Sequence, residues 1–552
     1  MSMKKIQWII VLVAILIIGL FSGRSLTTTL FGESSPKFVK LEPGNVSVPF
    51  ERKLVWKTQS AFADSIIKNW SERTIKEESL SGKGNAPRIL LAMFFAKHHL
   101  DEANKILMKN TVWGVSGSSW MLNKKGDYDF TATIYTTILY LFGDQPDVLY
   151  PETKKYLLDV LLYEDGNKFR YTAPRTLGLV NETENHLLMT EGSRYLKNRW
   201  IKLHGNNKEY FDNDKNGMES KLLALLDEMK TAGLYEFNSN PYVGYTITAL
   251  LNLEAFASVK IRDEARNVLD YMNFCYALGS YQLKHYPPMR RRYEKASFTS
   301  LATNYHSIFF KSWLSYSDID NYNNDIRNGD VHALMGSIMP YRPADKTAEL
   351  LFNKGDGYFT RLGHGVEASP EIYAAGKNFL ISAGGVNRGK RSLIVAKPIT
   401  LFLNDQATEL SETFHLAGPG SDFMEWNNTG VCQNFAVAAG PVSVPTGYLP
   451  FTQKDSWKVY QSRDSLLIAV YSTPNLGILS VHEKQNPQEL ADRLFASNSD
   501  PEKLKTQFLL PAGLKIEYDV FAPKDMWVIK AIDGNPVDRN CDKWPLIEGD
   551  MK

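Results

Sequence analysis

The hydrophobic pattern changes its period once along this chain of 552 residues, and that change limits the available folds more than any other feature. From about Ala61 to Leu314, apolar residues recur at steps of three and four, the spacing of one helix face. Pro87 to Leu107, Thr131 to Phe142, Glu152 to Leu162, Glu184 to Leu203, Met218 to Thr231, Tyr245 to Ser258 and Arg262 to Leu278 all carry it. Short polar or glycine-containing connections separate these segments, as antiparallel helix hairpins require. Beyond about Lys346 the runs become short and rich in β-branched and aromatic residues: Asn378 to Gly385, Ser392 to Ala396, Ile399 to Leu403, Ser465 to Tyr471, Lys515 to Phe521 and Met526 to Ile532. Gly, Pro, Asn and Asp punctuate them, which predicts a large antiparallel β-sandwich. The expected fold is therefore multidomain, α then β. A helical domain spans 61–340 and a sandwich spans 345–552. The boundary falls near 320–350, where Tyr322 to Asp330 breaks all periodicity. Helix pairs in this number curl into a solenoid or close into an (α/α) toroid, and the absence of a fixed-period repeat disfavours the regular solenoid.

The first 60 residues read differently. Lys4 and Lys5 precede a nearly unbroken apolar run from Ile6 to Phe21. That run is short for a membrane span and fits the apolar region of a signal peptide over 1–23. No small-x-small cleavage site follows, which leaves an uncleaved membrane anchor at the N-terminus as the alternative. Residues 24–60 read as a linker. Either way the remainder is expected to be exported: periplasmic, secreted, or anchored and facing outward. Cys275, Cys432 and Cys541 are too few and too widely spaced for a disulfide framework or a metal cluster. A net charge of +2 argues against a nucleic-acid partner, since phosphate-tracking surfaces carry a basic excess. No metal or cofactor is expected.

Three polar clusters interrupt the helical half. The first, Thr183 to Leu196, opens a helix with Glu184, Asn185 and His186 in its first turn. Thr183 or Asn185 acting as a cap would account for part of this. The second runs from Gly233 to Thr246 and places Glu236, Asn238, Tyr242 and Tyr245 just before or within an apolar helix. The third, Tyr286 to Tyr293, sets Arg290, Arg291 and Arg292 after a proline pair. The plainest accounts are a helix-surface histidine, turn formers before Pro241, core tyrosines and a solvated charge run. The joint order of amide, tyrosine and arginines favours a shared cleft instead. Aromatic content is 12%, and Trp113 and Trp120 are the candidate sugar-stacking rings. In the β half, His364 and Glu371 stand out against apolar surroundings.

The segment Phe237 to Thr246 is similar to the catalytic turn of the chondroitin AC, hyaluronate and alginate lyase-like polysaccharide lyases, in which a histidine precedes a tyrosine–glycine–tyrosine stretch. In that family a catalytic asparagine lies upstream of the histidine and arginines lie downstream of the tyrosine. Here Asn185 precedes Asn238 by 53 positions, and Arg290 to Arg292 follow Tyr245 by 45 to 47. The resemblance implies a helical toroid followed by antiparallel β-sheets. It makes Asn185 the residue that binds a uronate carboxylate and Tyr245 the proton carrier, with Tyr242 as competitor. Arg290 and Arg292 resemble the substrate-side arginines, and His364 and Glu371 would line the edge where the sandwich closes the cleft. Two departures stand: Asn238 occupies the histidine position, and the tyrosine stretch is two residues shorter. His186 is the first candidate to replace that imidazole and His306 the second.

The chemistry implied is β-elimination from an acidic polysaccharide. Removal of the proton beside a uronate carboxylate needs groups that stabilise the growing enolate charge and a base such as tyrosine. Two other classes remain open. Helical toroids also carry glycoside hydrolases, for which Glu184 and Glu236 would be the carboxylate pair. A non-catalytic glycan-binding or cell-envelope polysaccharide assembly protein would keep the cleft without the base.

Overall fold

The computed structural model describes residues 61–75, 85–112, 127–169, 171, 181–240, 242–290, 299–301, 305–314, 330–364, 370–385, 394–418, 426–483 and 485–551. Its N-terminal region is helical and its C-terminal region is built of antiparallel sheets, the order that the periodicity predicts. The helices are α1 (Ala61–Ser71), α2 (Asn85–Phe95), α3 (Leu100–Lys109), α4 (Asp129–Phe142), α5 (Pro151–Tyr156), α6 (Glu184–Leu203), α7 (Met218–Ala232), α8 (Tyr242–Phe256), α9 (Val259–Gly279), α10 (Tyr305–Trp313), α11 (Asp330–Ile338) and α12 (Asp345–Leu350). α4 packs on α6, α6 on α8, and α8 on α9, while α1 lies against α11. One hydrophobic core runs through all of these layers, from Ile66 and Trp70 to Leu334 and Tyr341.

Several boundaries differ from the sequence reading. Pro87 to Leu107 is two helices, because the chain turns at Lys97 and His99, both in the left-handed region with φ 53 and 50. Glu152 to Leu162 is the short helix α5 followed by a π-helical turn, Leu157–Leu161. Helical packing reaches Leu350, the far end of the expected boundary region and inside the span 345–552 expected to be sandwich, since α12 lies against α9. A helix is also present in the β half, Pro487–Ser497, capped by the Asn486 side chain.

The C-terminal half contains a seven-stranded sheet in the order Val442–Ser443, Phe414–Leu416, Ile399–Leu403, Phe379–Gly384, Glu371–Gly376, Tyr358–Leu362, Ile547–Met551. A six-stranded sheet follows the order Val431–Cys432, Phe435–Ala438, Leu476–His482, Leu467–Thr473, Trp457–Gln461, Thr452–Lys454. Residues of both share one core, which includes Ile381, Leu401, Val459 and Ile478.

The two halves are joined by a second apolar cluster. Tyr271, Phe274, Leu278 and Tyr286 from the helical half meet Tyr358, Tyr373, Leu380 and Phe402 from the sheet. Within it, Tyr358 donates to the Leu278 carbonyl at 2.6 Å. Met289–Arg290 pairs antiparallel with Ile394–Val395, so the third polar cluster is stitched to the β half by backbone bonds. Among the described residues no helix is long and apolar enough to cross a membrane. The expected leader, 1–23, and linker, 24–60, lie outside them.

Candidate functional site

α6 starts the site. Most of its residues are buried, from Glu184 to Trp200, so it is a central helix rather than an amphipathic surface one. Thr183 takes the N-cap position, yet its side chain makes no capping bond. Its hydroxyl donates instead to Asn185 Oδ1 at 2.8 Å. Asn185 is fully buried, and its amide donates to Glu236 Oε2 at 2.5 Å. The Glu236 backbone N–H donates in turn to Glu184 Oε1 at 2.8 Å. Capping therefore fails to explain this first turn. Its amide and carboxyl are spent on holding the second cluster.

The turn 233–240 is gripped from the other side by the third cluster. The Asn238 amide donates to the Pro288 carbonyl at 3.1 Å, and the Arg290 N–H donates to the Phe237 carbonyl at 3.1 Å. Asn238 sits at φ 50, a left-handed conformation that asparagine tolerates better than most residues. Arg290 corrects the reading of a solvated charge run. It is buried, with its guanidinium 4.3 Å from the Tyr235 ring centre and close enough to Glu184 to act on its charge. Burial and the neighbouring Glu236 push the Glu184 carboxyl up to about 8, against the opposing pull of the Glu236 N–H and Arg290.

His186 faces the rim, with 22% of its side chain exposed. Its Nδ1–H donates to Asp129 Oδ2 at 2.5 Å. Burial alone would lower its pKa, but the charge and hydrogen bond of Asp129, helped by Glu182 and Asp127, outweigh it and raise the ring to about 10. In an imidazolium Nε2 also carries an N–H, beside the Nδ1–H that Asp129 engages.

Tyr242 opens α8 and is half-buried. Tyr245, one turn further on, is 9% exposed. Its ring meets Phe130 edge-on at 4.3 Å and His332 at 4.7 Å, with the Arg88 guanidinium 5.7 Å away. Phe130 also sits edge-on to His186 at 5.5 Å, so the starts of α4, α6 and α8 converge. Gly244 lets α11 approach α8 closely, since a Cβ there would fall 2.6 Å from the His332 ring.

The β half closes the far side. His364 stacks on Phe237, with ring centres 4.5 Å apart and planes 12° apart, and its Nε2–H donates to Glu371 at 2.7 Å. Tyr373 donates to the other oxygen of Glu371. His364 Nδ1 is buried, with no hydrogen-bond partner among the described residues. Gly233, at φ 78, leaves room for it: a Cβ there would lie 2.8 Å from Nδ1. Gly233→Ala is expected to destabilise the fold by about 1–3 kcal/mol from backbone strain alone, since φ 78 with ψ −172 is a region open essentially to glycine, and to push His364 off Phe237. Thermal unfolding beside wild type checks it.

Other expected site residues lie elsewhere. His306 is in the interior, stacked on Tyr276 at 4.4 Å and bonded to Asn273 at 2.8 Å. Burial pushes it down to about 3. It is a satisfied core histidine and does not reach the cluster. Arg292, Trp113 and Trp120 lie outside the described residues. Sequence reasoning missed Asp129, Phe130 and Phe237, whose roles arise only from contacts with distant segments. Among the described residues no group of three or more His, Cys, Asp or Glu side chains could hold a metal ion. Neither the protein-family models nor the curated protein sequences compared with this chain give a match to it.

Proposed function

We propose that the chain is an exported polysaccharide lyase, acting on an acidic uronate-containing glycan by β-elimination, with an (α/α) toroid and a β-sandwich as its two domains. The packing of α1 against α11 supports the toroid, because it brings an early helix against a late one. The observation that carries the function is the convergence of the starts of α4, α6 and α8, where Phe130 meets His186 at 5.5 Å and Tyr245 at 4.3 Å. His186 is held cationic at the rim by Asp129, and Tyr242 opens the neighbouring helix.

In this mechanism the Nε2–H of His186 bonds the uronate carboxylate and offsets the charge that grows there. The bond from hydrogen to the carbon beside that carboxylate breaks, and the proton passes to the Tyr242 phenolate. The released electron pair forms a carbon–carbon double bond as the bond to the 4-linked sugar oxygen breaks, and the departing oxygen takes the proton now carried by the Tyr242 hydroxyl, which returns to the phenolate. Tyr242 is preferred to Tyr245 because it is half-buried, whereas the Tyr245 ring is enclosed by Phe130 and His332. His364 brings an imidazole against Phe237, beside the Asn238 position where the resembled lyases carry one. Asn185 orients Glu236 here rather than facing the sugar.

The glycoside hydrolase reading draws on the closeness of Glu184 to Glu236, whose charge helps raise the Glu184 carboxyl. Glu184 is only 2% exposed and its carboxyl is bonded to the Glu236 backbone. The pair therefore does not flank a glycosidic bond as that chemistry requires. Incubation with uronate polysaccharides decides among the readings. A lyase yields unsaturated, ultraviolet-absorbing sugar ends. New reducing ends without that absorbance would replace the proposal with hydrolysis. Retardation of the glycan on a gel without either product would replace it with binding alone.

A further inference from the structure

We infer that Glu184 is a positioning residue, whose carboxyl sets the first turn of α8, and with it Tyr242, through the backbone of the turn 233–240. This inference rests on the lyase reading for its effect on rate, but not for its effect on stability.

The connection is an unbroken series of hydrogen bonds. Glu184 Oε1 accepts from the Glu236 N–H at 2.8 Å. The Glu236 carbonyl accepts from the Ser239 N–H at 3.2 Å, and the Ser239 carbonyl accepts from the Val243 N–H at 2.9 Å. Val243 is the residue after Tyr242 in the first turn of α8. On the α6 side the turn is held by Glu184 and Asn185, whose amide takes the Glu236 side chain. On the opposite side Asn238 and Arg290 hold it to 286–290. Glu184 is too deeply buried to touch a polysaccharide. Its second oxygen is also buried, with no hydrogen-bond partner among the described residues.

The charged groups acting on it are Glu236, which opposes its ionisation, and Arg290, which favours it. Once Glu184 ionises, two carboxylates face each other across one backbone bond and the turn is pushed away from α6. The sign is fixed by the raised folded-state value. Between the ordinary 4.5 and about 8, the folded chain binds more protons than the unfolded one. This group's stabilisation is therefore full below 4.5 and declines until about pH 8.

Two variants of the full chain test this. Glu184→Gln keeps the acceptor and cannot ionise, whereas Glu184→Ala removes the grip. With a uronate glycan, Glu184→Ala is expected to lower kcat roughly 10²-fold, the scale of a small misplacement, with little change in KM. Glu184→Gln should lose far less and should lack the wild-type fall in kcat above about pH 8. In thermal unfolding, Glu184→Gln should show a shallower loss of Tm with rising pH than wild type. A folded Glu184→Gln as inactive as Glu184→Ala would overturn the inference, and so would a fully active Glu184→Ala. Should wild type make no unsaturated ends, the proposed function falls. The Tm profiles then decide for Glu184 separately: a Glu184→Gln slope equal to wild type overturns its role.

Discussion

Replacement of Tyr242 by Phe is expected to lower kcat by about 10²–10⁴-fold, the range for removal of a positioned acid–base group, with the melting temperature nearly unchanged. The residue is half-buried in the first turn of α8, so loss of one oxygen leaves the apolar packing of its ring intact. Tyr245→Phe should have a smaller effect, because that ring serves mainly as an edge-on partner for Phe130 and His332. The measurement is the initial rate of unsaturated-end formation, with thermal unfolding of both variants beside wild type. A Tyr245→Phe variant that is folded but dead, paired with an active Tyr242→Phe, would move the proton transfer to the inner phenol. KM should stay within a narrow range for Tyr242→Phe, since the phenol acts on the transition state rather than on ground-state binding.

His186→Gln is expected to cut kcat/KM by about 10²–10³-fold, the loss seen when one preorganised charge-stabilising donor is removed. Glutamine keeps a polar N–H near the rim but carries no positive charge. Asp129→Asn tests the same idea from behind the ring. Without the Asp129 carboxylate, burial becomes the dominant influence on His186, and its pKa falls. Wild-type activity should therefore be insensitive to this group at neutral pH, where the ring is already charged. Activity of Asp129→Asn should rise as the solution is acidified and the imidazolium is restored. Stability gives an independent reading. The His186–Asp129 pair contributes fully below the ordinary histidine value of 6.5, and that contribution is lost as pH rises through about 10. Asp129→Asn should lack this alkaline loss. A variant with the same pH–activity profile as wild type would remove His186 from the mechanism.

These predictions depend on residues whose visibility in the sequence was uneven. The limits of α6 at Glu184 and Leu203 and the strand Ile399–Leu403 follow from local pattern alone. Periodicity is a property of neighbours along the chain, and burial of one face enforces it. The break after Phe95 does not announce itself, because Lys97 and His99, both exposed, are residue types that carry no turn signal and yet adopt the left-handed conformation. α12 escaped the boundary for a similar reason: a six-residue helix is too short to display a period.

In the site, the sequence by itself determined that an amide and an imidazole open a helix, that a turn with a carboxylate precedes two tyrosines, and that arginines follow a proline pair. Chain spacing carried no information on direction. Only the tertiary structure decided that Asn185 turns inward to Glu236, that His186 turns outward to Asp129, and that Arg290 is buried over Tyr235. It also sent His306 into the core and His364 onto Phe237. The physical reason is that adjacent helical residues point about 100° apart. Which one meets solvent, a charge or an apolar ring depends on elements folded against them from dozens or hundreds of residues away.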